Sequence, residues 1–135
     1  MSFVVQNREE GKTVLLKATA STAYTKNDGV KFTSGYLAAS ASGDAFVDFV
    51  SLETKTSAAG DGTDSILCYR IDPSVVVHAT TGTTPVQATH VGNRYDISAA
   101  GTVDLTATAD KIFLIERIIN ATDKIVEGRF MQAIA

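Results

Sequence analysis

One cysteine, two prolines, no tryptophan and no run of basic residues leave this chain few routes to chemistry. The single cysteine, Cys68, excludes an intrachain disulfide and any Cys-x-x-Cys pair. It sits between Leu67 and Tyr69, which reads as a buried structural thiol rather than a reactive one. Aromatic residues are only 7% and tryptophan is absent. This weighs against carbohydrate grooves, which want flat aromatic surface. Lysine and arginine are scattered singly, the net charge is −3 and the sequence pI is about 5.2. Phosphate contacts dominate nucleic-acid affinity, so no nucleic-acid partner is expected. Apolar runs such as Ile112 to Ile115 are strand-sized, far below the roughly 20 residues of a spanning helix, so no membrane partner is expected. The opening MSFVVQNREEGK lacks a basic start followed by an apolar block and does not read as a secretory signal.

What is present describes a fold better than a function. A chain of 135 residues suits one domain. It can bury roughly two-thirds of its unfolded surface without a metal or disulfide. Hydrophobic residues make up 44%, which argues against wholesale disorder, while charged residues make up only 20%. Threonine, alanine, serine and valine fill the gap, and low charge density suggests surface covered by a partner.

Strand signals recur along the chain. Thr13 to Ala20 alternates, with Val14, Leu16 and Ala18 on one side. Asn27-Asp28-Gly29 marks a turn, because these residues accept positive φ. Val30 to Ala38 predicts one strand, bent or bulged at Gly35. Ala39 to Asp44 is turn-like, and Ala45 to Leu52 fits a strand buried on both faces. Glu53 to Ser65 reads as a mobile surface loop. Strands follow at Ile66 to Asp72, Val75 to Thr80, Val86 to Val91, Tyr95 to Ser98 and Val103 to Ala107, with a turn at Thr81 to Pro85.

The clearest unit is a hairpin from Ile112 to Ile119 and Ile125 to Met131, turning at Asn120-Ala121-Thr122-Asp123. Asn120-Ala121-Thr122 matches a glycosylation sequon but reads as the turn. Val126 and Phe130 share one face of the returning strand, Glu127 and Arg129 the other. The outgoing strand is apolar on both faces except at Glu116 and Arg117, so it belongs inside a sheet. A turn centred near Thr122 sets Arg117 opposite Glu127, where an ion pair fixes register more than it adds stability.

Together these signals predict an all-β fold, an antiparallel β-sandwich or small β-barrel with a C-terminal β-hairpin. Residues 12–135 form the expected domain. Residues 1–11 form an N-terminal arm, whose apolar Phe3, Val4 and Val5 either add an edge strand or reach a neighbour.

Candidate chemistry is thin. His78 and His90 are the only histidines, and each reads as a lone strand histidine, since zinc needs three or four ligands. Asp61 and Asp64 in GDGTDS suggest a calcium loop but lack its remaining oxygen ligands, so they read as a turn. No phosphate loop or nucleophile elbow occurs. Carboxylate pairs that meet only in the fold stay open.

Residues His90 to Ile97 (HVGNRYDI), Thr102-Val103-Asp104, Phe113 to Ile119 and Val126-Glu127-Gly128-Arg129-Phe130 carry a resemblance. This order resembles tailed-bacteriophage capsid decoration, or cement, proteins, over roughly Ile66 to Met131. The resemblance implies a non-enzymatic virion protein without cofactor, made in the host cytoplasm, that binds the outer capsid surface. Its implied partners are the major capsid protein and itself, as a homotrimer at three-fold positions. The expected contact residues are Ser2, Phe3, Val4, Val5, Gln6 and Asn7 of the arm, with Asp61 and Asp64 of the loop. The alternatives are a phage tail, neck or receptor-binding β module, and a small hydrolase centred on Cys68 or a histidine–carboxylate site.

Overall fold

The computed structural model describes residues 3–41, 44, 46–99 and 101–131. Ser2 of the expected interface lies outside this set, as do Ser42, Gly43 and Ala45 of the expected turn and strand. The fold is all-β and antiparallel, as the alternating sequence predicts. Its strands are β1 (Val4–Val5), β2 (Thr13–Lys17), β3 (Ala23–Tyr24), β4 (Gly29–Thr33), β5 (Tyr36–Ala39), β6 (Phe49–Ser51) and β7 (Lys55–Thr56). Then follow β8 (Ser65–Arg70), β9 (Val77–Thr80), helix α1 (Gln87–His90), β10 (Arg94–Ala99), β11 (Thr102–Asp104), β12 (Phe113–Asn120) and β13 (Ile125–Phe130).

Two main sheets form. One has six strands in the order β1-β9-β13-β12-β10-β11, and the other five in the order β2-β8-β6-β4-β5. Both curl. A parallel bridge between Ala18 and Leu37 ties the two edges of the five-stranded sheet, and another between Thr81 and Val103 draws β11 toward the chain leaving β9. A two-stranded ribbon, β3-β7, lies beside them.

Alternation along β8 and β6 explains how the sheets share cores. On one side Phe49, Ile66 and Cys68 join Ala18, Tyr24, Val30 and Leu37 inside the curled five-stranded sheet. On the other side Val50 and Tyr69 join Val77, Ile97, Ile115 and Val126 of the six-stranded sheet. A strand buried on both faces is the pattern read from Ala45 to Leu52, and β6 shows it at each of its residues.

Four expectations bear on these elements, and the last three change. The first concerns the arm. Phe3 is fully buried, 4.9 Å from Phe130 and 6.4 Å from Phe113 between ring centroids. β1 pairs with β9, Val4 opposite His78 and Val5 opposite Val77. The arm thus takes the edge-strand role, one of the two expected for it, and joins the core of the six-stranded sheet: burial of Phe3 and Val5 together with the β1–β9 pairing offsets the entropy of ordering it. The second concerns Val30 to Ala38, which is a hairpin. Ser34 and Gly35 both take positive φ, 52° and 86°, the requirement of a two-residue turn whose twist suits a hairpin. The third is Val86 to Val91, a turn of helix closed where the Val86 amide donates to His90 Nδ1 at 2.7 Å. The fourth is the loop at Glu53 to Ser65, which contains β7 and is tied to β3.

Candidate functional site

The most highly built polar surface lies on the outer face of β12 and β13. Arg117 pairs with Glu127 across the ladder, Nε to Oε2 at 2.8 Å and Nη2 to Oε1 at 3.1 Å. His78 Nε2 reaches the same Oε1 at 3.0 Å from the neighbouring β9. The Arg117 hydrogen bonds, with a smaller contribution from His78, hold the Glu127 carboxyl down at about 2, against the opposing push of burial. One turn along, Arg129 grips Glu116 with two hydrogen bonds of 3.0 Å and also donates to the Pro73 carbonyl. The register shift between Ile115 and Arg117 lets Glu116 and Arg117 both reach this face. Each arginine here has a carboxylate partner, and His78 with Glu127 makes the one histidine–carboxylate pair found among the described residues.

The residues expected at an interface scatter. Phe3 is core. Val5 is buried, and the Asn7 side chain is spent on its own chain, donating to the Ser74 carbonyl at 3.0 Å and accepting from the Val76 amide at 2.7 Å. The Gln6 side chain donates to the Val4 carbonyl. Asp61 accepts the Ala20 amide at 2.8 Å, and Asp64 accepts the Ala58 amide at 2.6 Å with Lys55 3.7 Å away. These two aspartates brace one loop against β2 and its continuation. The structure does not bring them together with the N-terminal residues.

Cys68 is buried, and burial, helped by Glu53, pushes its thiol up to about 12. Such a thiol is protonated at neutral pH and is a poor nucleophile. Among the described residues no group of three or more His, Cys, Asp or Glu side chains could hold a metal ion. No helix among them is long and apolar enough to cross a membrane.

Sequence reasoning missed a cavity of about 470 Å³ lined by Gly92, Asn93, Arg94, Tyr95, Thr108 and Lys111. Its two walls are the turn entering β10 and the loop between β11 and β12. Asp96 joins them. It is buried, and its carboxylate accepts the backbone amides of Ala109 at 3.1 Å and of Asp110 and Lys111 at 2.8 Å each. No local signal marked it, because alternation puts Asp96 on the face opposite Tyr95 and Ile97, where a polar residue is ordinary.

Compared with models of known protein families the chain matches none, and a comparison with curated proteins finds no match.

Proposed function

We propose that this chain is a virion structural protein that binds the outer surface of a phage capsid and reinforces contacts between major capsid protein subunits. One observation carries the reading. The motifs that bear the resemblance fall on β10, β11, β12 and β13, four strands adjacent in one sheet, with His90 in α1 and residues 91–93 in the turn before β10. These motifs form one block, while the wider likeness from Ile66 also takes in β9 of the same sheet and β8 of the other.

The rest of the molecule suits such a role. Its surface exposes Leu15, Phe32, Phe46, Val86 and Ile119, large apolar side chains on separate elements. Contacts spread in this way suit a protein touching several neighbours at once. A protein that binds only the assembled shell stabilises it by mass action. Repeated copies on one particle, as homotrimers at three-fold positions, multiply weak contacts. The contact surface proposed here excludes Phe3, which the core occupies, and keeps the exposed edge of β1 and the loop carrying Asp61 and Asp64.

The test is co-sedimentation of purified protein with tailless phage heads and, separately, with isolated tails. Saturable binding to heads supports the proposal. Binding to tails alone would replace it with the tail or receptor-binding reading.

A further inference from the structure

The cavity between β10 and the β11–β12 loop brings two cations together. Its lining contains Arg94 and Lys111 and no carboxylate. Among the described residues, neither the Arg94 guanidinium nor the Lys111 ammonium has an ion-pair or hydrogen-bond partner. Five other cations are held in ion pairs: Lys12 with Asp72, Lys31 with Asp44, Lys55 with Asp64, Arg117 with Glu127 and Arg129 with Glu116. Arg94 and Lys111 differ from the remaining cations in lining one cavity together.

The nearby acids are held off. Asp96 is turned to three backbone amides, and Asp104 accepts from the Thr106 amide and hydroxyl. Neither these nor Asp110 lines the cavity.

The walls are set in advance. Lys111 is fixed at a positive φ of 55° by the Asp96 bond to its amide. Opposite, Gly92 donates to the Ile115 carbonyl at 2.7 Å, and Ile115 donates to the Asn93 carbonyl at 3.1 Å. The Asn93 amide nitrogen donates to the Thr89 carbonyl at 2.7 Å, which fixes that side chain. The backbone of both walls is therefore ordered before binding, and what binding must order is the Arg94 and Lys111 side chains.

We propose that this cavity binds a phosphoryl group. Arg94 offers the planar fork that suits a tetrahedral oxyanion, and Lys111 adds a second charge to balance a dianion. The Thr108 hydroxyl supplies a neutral donor for a remaining oxygen. This site stands independently of the capsid reading.

The test is titration of ¹⁵N-labelled protein with inorganic phosphate, with acetate and sodium chloride as parallel arms, followed by amide shifts. Phosphate should shift Gly92 to Tyr95 and Thr108 to Lys111 saturably, and acetate more weakly by about tenfold in affinity, as one charge replaces two. Arg94→Gln with Lys111→Gln should abolish saturation, and the exposed single variant Lys111→Gln should weaken it. Lys17→Ala, on a distant strand, should leave it intact. Shifts spread evenly over the surface, acetate binding as well as phosphate, or a double variant that still saturates would each overturn the proposal.

Discussion

Arg117 and Glu127 stand opposite one another on β12 and β13, joined by two hydrogen bonds, and His78 of β9 touches the same carboxylate. One carboxylate thus links three adjacent strands. Arg117 is largely exposed, so the pair adds little stability and mainly fixes alignment. A slip of one residue would turn Val126 and Phe130 out of the core, and the pairing opposes that slip.

Glu127 gives the fold a pH dependence with a defined sign. Its carboxyl is held at about 2, below the ordinary 4.5. The stability it contributes is complete above the ordinary glutamate range and is lost as pH falls from about 4.5 toward 2. Glu127→Gln should flatten the urea midpoint against pH in that window relative to the parent. Parallel curves for the two proteins would refute the assignment.

Phe3 should behave as a core residue. Phe3→Ala is expected to cost about 3–5 kcal/mol, and deletion of residues 1–7 at least as much. Equilibrium denaturation reads this directly. A truncated protein with unchanged midpoint would show that the terminus does not support the domain.

Gly128 is the one position in β13 where no side chain fits. A Cβ there would collide with the Leu114 carbonyl and come within 2.8 Å of the Phe113 ring. Backbone cannot yield as a flexible side chain does, so Gly128→Ala should destabilise by about 3 kcal/mol, at the upper end for overpacking. A thermal melt equal to the parent's would contradict this packing.

Asp96 should control the β11–β12 loop. Asp96→Ala removes the acceptor for three amides and is expected to cost about 2 kcal/mol or more. Amide exchange at Ala109, Asp110 and Lys111 should accelerate more than elsewhere. Uniform acceleration would mean only a global loss of stability.

Cys68 should be inert in the folded protein. Its modification by iodoacetamide at neutral pH should proceed at the rate of opening and rise steeply in denaturant. Fast labelling under native conditions would place the thiol at the surface.

The strands were legible where periodicity and turn chemistry agreed. The β12–β13 hairpin, with Arg117 against Glu127, follows from alternation and a four-residue turn, both local. Val14, Leu16 and Ala18 fall on one side of β2 and its continuation, as spacing requires. Misreadings came where local signals conflict. Gly35 alone predicts a bend in one strand, because Ser34 gives no hint that it will accept positive φ. Val86 and Val91 suggested a strand, and a histidine side chain closing on the backbone made a helical turn.

The sequence by itself determined the all-β class, the faces of the principal strands and the Arg117–Glu127 pairing of the last hairpin. These depend on side-chain alternation and on turns spanning a few residues. Tertiary structure alone decided that Phe3 completes a core with Phe113 and Phe130. It alone decided that Asp96 gathers three amides and so sets Arg94 and Lys111 around one cavity. Such placements arise from closing long loops for the sake of shared burial and buried hydrogen bonds, and no neighbour in sequence carries that information.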